Sequence, residues 1–165
     1  MAGYTPFEPE QMLAALNRAG VRYVLIGGLA AVLHGGVLRT GDADICPARD
    51  PDNLERLAAA LHELHAAIRA GDEQVPLPAD PTLLRQNDIW NLSTTYGDLD
   101  IAFCPAGTAG YEDLAEAAVR YELDDGVTVD VASIDDIIRS KRTADRPKDR
   151  EALPSLEAIR DEQHG

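Results

Sequence analysis

The sequence predicts an α/β (α+β) protein, a mixed β-sheet flanked by helices, in a single domain over residues 1–165. Three observations lead there. Short apolar runs of strand character alternate with amphipathic helical spacings. Capping residues followed by Pro, at Thr5-Pro6, Asp50-Pro51 and Asp80-Pro81, mark helix starts. Tight turns at Tyr96-Gly97-Asp98 and Asp124-Asp125-Gly126 join neighbouring strands, so part of the sheet is antiparallel.

In chain order, Thr5-Pro6 opens an amphipathic helix carrying Met12, Leu13 and Leu16 and stopping at Gly20. Tyr23-Val24-Leu25-Ile26 is a buried strand that runs into Gly27-Gly28. Residues 29–34 form a short apolar helix ended by Gly35-Gly36, and a second strand begins at Asp42. Leu54, Leu57, Ala58, Leu61 and Leu64 recur at helical spacing and predict a helix over residues 51–69. Residues 71–79 read as a polar loop, and one or two helical turns follow to about Gln86. Residues 89–94 and 99–103 are strands, 111–118 a short helix, and 119–123 with 127–131 a hairpin-like pair. Ser133 caps a helix continued by Ile137, Ile138 and Lys141. The run Arg146-Pro147-Lys148-Asp149-Arg150 interrupts it before a last helix to about Ile159. The order is α-β-α-β-α-(α)-β-β-α-β-β-α-α.

Chemistry concentrates after the first strand. The N-terminus of the short helix offers backbone N–H groups beside residues without side chains, which suits a phosphate chain. Asp42 and Asp44 then project from one face of the next strand, because side chains alternate along it. Adjacent carboxylates repel each other, and a hard divalent cation relieves the repulsion. Each feature also has an ordinary reading, Gly-Gly as a plain turn and the aspartates as loop residues. Against the second, Ile45 and Cys46 continue the strand, and Asp is poorly suited to strand interiors.

Gly27-Gly28, then residues 29–41, then Asp42-x-Asp44 resembles the signature of the polymerase-β-type nucleotidyltransferases. Leu25-Ile26-Gly27-Gly28-Leu29-Ala30 and Arg39-Thr40-Gly41-Asp42-Ala43-Asp44-Ile45 give it in a form similar to the AbiEii-like toxin and minimal nucleotidyltransferases. The resemblance spans roughly residues 20 to 150 and implies a nucleotidyltransferase fold. It also implies transfer of an NMP group from an NTP to a hydroxyl, assisted by Mg²⁺ (two ions) held by Asp42, Asp44 and a third carboxylate. Asp100 is the choice for the third, with Asp98 the competitor placed in a turn by Gly97. Gly27, Gly28, Arg39 and Thr40 would lie beside the nucleotide, with Lys141, Arg146 and Lys148 closing over nucleotide or acceptor. The implied acceptor is a protein hydroxyl or the 3′ end of a tRNA, in a toxin–antitoxin or phage-defence pair with a cognate partner. The alternative is a non-catalytic nucleotide-binding antitoxin or regulatory partner of the same fold. The larger toxins carry a helical acceptor domain, whereas little of this sequence follows Asp149.

Composition bounds these expectations. Hydrophobic residues make up 45% and charged residues 27% of the chain, ordinary for a globular protein. No apolar run has the length of a membrane span and no signal pattern opens the chain, so a cytoplasmic location is expected. A net charge of −14 opposes an extended DNA footprint, since such affinity comes mostly from neutralising phosphates. Cys46 and Cys104 match neither a disulfide framework nor a zinc spacing and read as small apolar residues. His34, Trp90 and Phe103 read as packing residues.

Overall fold

The computed structural model describes residues 5–36 and 40–165. Arg39, expected beside the nucleotide, lies outside the described residues. The described helices are α1 (Pro9–Arg18), α2 (Gly27–Leu33), α3 (Pro51–Glu63), α4 (Pro81–Leu84), α5 (Tyr111–Glu116), α6 (Ile134–Ala144) and α7 (Pro147–His164). The strands are β1 (Tyr23–Ile26), β2 (Asp42–Pro47), β3 (Ala67–Ala70), β4 (Glu73–Pro76), β5 (Ile89–Thr94), β6 (Gly97–Ala102), β7 (Val119–Glu122) and β8 (Thr128–Val131). They form one mixed sheet in the order β4-β3-β5-β6-β2-β1-β8-β7, with β2 parallel to β6 and antiparallel to β1.

Alternation along the central strands separates two faces. Ala43 and Ile45 of β2, Leu99 and Ile101 of β6, and Trp90 and Leu92 of β5 are buried. They belong to one apolar core with Leu13 and Leu16 of α1 and Leu54 and Leu57 of α3. The residues between them on the same strands, Asp42 and Asp44, Asp98 and Asp100, and Asn91, therefore share the opposite face. The apolar side of the sheet holds the fold together, and its polar side carries the candidate site.

Several local expectations needed correction. The first helix starts at Pro9, not at Thr5-Pro6, because the Glu8 backbone N–H bonds to the Tyr96 carbonyl (2.9 Å) and holds the preceding chain extended. The helix expected over 51–69 stops at Glu63, where His65 takes a left-handed φ of 53°. The chain after it is strand, paired through Ile68 with Leu92 of β5, and the expected loop over 71–79 contains β4. The β5–β6 turn is Thr95-Tyr96, so β6 starts at Gly97 and Asp98 is a strand residue. The short helix after the 104–110 segment ends at Glu116, not 118. The break between the last two helices falls at Asp145-Arg146, as the sequence predicts, but the last helix starts within the basic run, at Pro147, and continues past Ile159 to His164.

The caps at Asp50, Asp80 and Ser133 behave as the sequence predicts, each side chain accepting a hydrogen bond from the first turn of its helix. Among the described residues no helix is long and apolar enough to cross a membrane.

Candidate functional site

Gly27 and Asp44 are matched to each other by the β1–β2 pairing, which sets Ile26 opposite Asp44. Gly27 has φ of 75°, and a methyl group there would collide with the Asp44 carboxylate, reaching 2.8 Å from its Cγ. A side chain is excluded both by the backbone and by the close approach. Gly28 is looser, since among the described residues a Cβ there would meet only Thr40, at 3.4 Å. Among the described residues no side chain caps the start of α2, and Gly27 and Gly28, which carry its first N–H groups, line the cleft. The Thr40 hydroxyl donates to the Asp42 carbonyl (2.9 Å) and, more weakly, to its carboxylate (3.4 Å), which orients Asp42.

Parallel pairing of β2 with β6 sets Asp42 opposite Asp98 and Asp44 opposite Asp100. Four carboxylates thus share one patch. Burial drives the Asp44 pKa up to about 7, and the negative charges of Asp42 and Asp100 push the same way against Lys141 and Lys148. Burial also raises the Asp100 pKa, here opposed by the guanidinium of Arg69. Arg69 of β3 reaches across β5 to Asp100 Oδ1 (2.7 Å) and Asp98 Oδ2 (3.3 Å), and it donates to the Leu92 carbonyl (2.8 Å). Sequence reasoning missed Arg69 because it placed that residue at a helix end. The available signal was one charge in the short run Ala67-Ile68-Arg69-Ala70.

The opposite wall comes from α6 and α7. Arg146 donates to Asp149 Oδ2 (2.7 Å) and Oδ1 (3.2 Å), and Lys141 Nζ lies 3.3 Å from Oδ1. Burial alone would raise the pKa of Asp149, which is 1% exposed. The bonds from Arg146 and the charge of Lys141 instead hold it down at about 2. Lys148 lines the same cleft, and its charge acts on Asp44.

These walls enclose a cleft of about 1040 Å³, lined by Gly27, Gly28, Thr40, Asp42, Asp44, Asp98, Asp100, Lys141, Arg146 and Lys148. Every described residue that the sequence nominated therefore meets in one place. The volume is at the upper end for a small-ligand site. Among the described residues no three His, Cys, Asp or Glu side chains are gathered closely enough to enclose a metal, and Asp100 is engaged by Arg69. The donor chemistry nevertheless fits a hard divalent cation. Asp42 and Asp44 supply oxygen ligands, and the burial and neighbouring carboxylates that raise the Asp44 pKa disfavour a bare charge there, a cost that such a cation would relieve.

Cys46 is buried and Cys104 is exposed at the cleft, and both are free thiols. His34 is a buried packing residue, with Nε2 on the Ala132 carbonyl (2.8 Å) and Nδ1 facing the Tyr121 hydroxyl (3.1 Å). Trp90 and Phe103 are core residues.

The chain's fold is similar to that of the lincomycin-bound crystal structure of the lincosamide antibiotic adenylyltransferase LnuA. The TM-score is 0.62 at 18% identity, over 94% of this chain and 99% of that one. The fold is that of the nucleotidyltransferases. Two further solved structures share this nucleotidyltransferase fold. ANT(2'')-Ia in complex with adenylyl-2''-tobramycin matches at TM-score 0.55 and 18% identity, over 92% of this chain and 90% of that one. An antigenic nucleotidyltransferase-like protein from Paracoccidioides brasiliensis matches at 0.54 and 16%, over 91% and 72%. No protein-family model matches the chain, and no curated protein matches it in sequence. At these identities the likeness is one of fold, and the AbiEii-like form of the resemblance gains nothing from it.

Proposed function

We propose that the protein transfers a nucleoside monophosphate from a nucleoside triphosphate to a hydroxyl acceptor. The observation that carries this reading is the meeting of Asp42, Asp44 and Asp100 in one cleft with Gly27 and Gly28 on one side and Lys141, Arg146 and Lys148 on the other. Asp42 and Asp44 would hold the divalent cation. When bound, it would neutralise triphosphate charge and make the α-phosphorus more electrophilic. The N–H groups at Gly27 and Gly28, with Lys148 and Lys141, orient and balance the phosphates. Asp100, fixed by Arg69, accepts the proton of the attacking hydroxyl. The hydroxyl oxygen bonds to the α-phosphorus, the bond to the β-phosphate oxygen breaks, and pyrophosphate leaves.

A compact hydroxyl compound is the acceptor that the site supports best. Among the described residues, the cations lining the cleft are Lys141, Arg146 and Lys148. Two of them are bonded to Asp149, which leaves enough positive charge for a triphosphate but little for an RNA backbone. The side of the cleft next to Asp100 is lined by Ile89, Asn91, Ala102 and Cys104, which add no Lys or Arg. LnuA holds lincomycin and ANT(2'')-Ia holds adenylyl-2''-tobramycin, small molecules in both cases. A partner-protein hydroxyl is the second reading, favoured by Ile89, which is 63% exposed at the cleft edge. The tRNA acceptor and the toxin–antitoxin setting have no support from this geometry.

The test is transfer of label from each α-labelled NTP with Mg²⁺ into a panel of hydroxylated small molecules and into the protein and RNA of a lysate, with Asp44→Asn as control. Label in a small product, absent with the variant, is the expected result. Label in a protein or RNA band moves the acceptor to that class. Thermal stabilisation by ATP and Mg²⁺ without transfer to anything would replace the enzyme by a nucleotide-binding module.

A further inference from the structure

The four clustered carboxylates divide into two pairs with different neighbours. Asp98 and Asp100 of β6 face a cation that the chain itself supplies, since Arg69 bridges them at 3.3 and 2.7 Å. That guanidinium is also anchored to the Leu92 carbonyl at 2.8 Å, and its side chain is 29% exposed, so it is held in place and not a swinging surface group. Asp42 and Asp44 of β2 have no such partner among the described residues. Thr40 gives Asp42 a neutral hydroxyl, and Lys141, which faces Asp44 across the cleft, is shared with Asp149.

We infer that Arg69 is a built-in counter-cation that reserves Asp98 and Asp100, so that the nucleotide-free protein binds one divalent cation, on the Asp42–Asp44 pair, and excludes a second. The inference rests on the metal-assisted reading above and refines it, replacing the two ions expected from the sequence by one in the resting protein. Its physical basis is competition. A second ion on the β6 pair would sit against a fixed positive charge and would have to displace hydrogen bonds already made. Arg69 also leaves Asp100 with one oxygen engaged and the other directed by that bond, which makes Arg69 a positioning residue for the base.

The test counts ions without using activity. Nucleotide-free protein is titrated with Mn²⁺, and bound ion is read from the loss of the free-ion electron paramagnetic resonance signal. The wild type should bind one ion, Arg69→Met two, and Arg69→Lys one. Circular dichroism checks that each variant is folded. Asp100→Asn gives an independent arm should Arg69→Met not fold, and it should keep the single ion with affinity changed less than about threefold. Two ions on the wild type, one on folded Arg69→Met, or loss of the ion in Asp100→Asn would overturn the inference alone. A wild type that binds no Mn²⁺ would overturn the metal-assisted reading together with it.

Discussion

Asp44 and Asp149 line the same cleft, yet their pKa values stand at about 7 and about 2. Both lose water on folding, so burial alone does not separate them. Asp149 accepts two hydrogen bonds from the Arg146 side chain and has Lys141 beside it. Asp44 has carboxylates as its near neighbours, with lysine charges only opposing them across the cleft. On the proposed reading, the difference separates their tasks. A carboxylate already satisfied by the chain holds helices together, and one left facing its own kind is poised for a cation from outside.

The largest expected break in this contrast comes from Asp44→Asn. It should lower nucleotidyl transfer by about 10³-fold or more, on the scale of removing a charge-stabilising group from an active site. Labelled-NTP turnover measures this, and unchanged turnover would remove Asp44 from the site. Asp149→Asn should act on the other side of the comparison. It leaves Arg146 and Lys141 without their shared negative charge and should destabilise the protein by about 3 kcal/mol, read from urea unfolding. A native-like midpoint would show that the α6–α7 turn does not depend on this charge.

Gly27→Ala sharpens the link between backbone and carboxylate. The added methyl meets Asp44 in a left-handed conformation, so a loss of about 2 kcal/mol is expected together with impaired transfer. Gly35→Ala, where φ is also positive but none of the described residues lies near the added Cβ, isolates the backbone component. Equal costs at the two glycines would dismiss the collision.

An effect no larger than that of Gly27→Ala is expected in pH dependence, and its sign follows from the direction of the shift. The Asp44 pKa is raised in the folded protein, so its contribution is fully present below the unfolded pKa near 4. It is lost as pH rises through about 7. Stability should therefore fall by about 2 kcal/mol between pH 5 and 8, less in Asp44→Asn, and Mg²⁺ should restore more of it at pH 8 than at pH 5. Asp149 has the opposite sign: its contribution is present above pH 4 and is lost as pH falls through about 2. Urea titrations at several pH values, with and without Mg²⁺, measure both. A wild type and Asp44→Asn with parallel profiles would contradict the raised pKa.

The site was legible wherever its signal is local. Gly27-Gly28 before Asp42-x-Asp44 marks a strand, a turn and a same-face pair within a short stretch of chain, and the caps at Asp50, Asp80 and Ser133 each involve neighbours a few residues away. Arg69 was not legible. Its partners lie on a strand reached only across β5, and the preceding leucines and alanines continue a helical pattern up to it. The position of Asp98 was misread for a related reason, because Gly97 suggests a turn until Phe7 is seen packed over it.

The sequence by itself determined the alternation of strand and helix, the glycine turn and the spacing of Asp42 and Asp44, because dihedral preference, side-chain periodicity and capping act over a few residues. The tertiary structure alone decided that His65 ends a helix, that β3 and β4 extend the sheet, and that Arg69 meets Asp98 and Asp100. It also decided which aspartate is neutralised and which is left repelled. Charge interactions depend on distance in space, and the sheet order β3-β5-β6-β2 sets those distances among residues far apart in the chain.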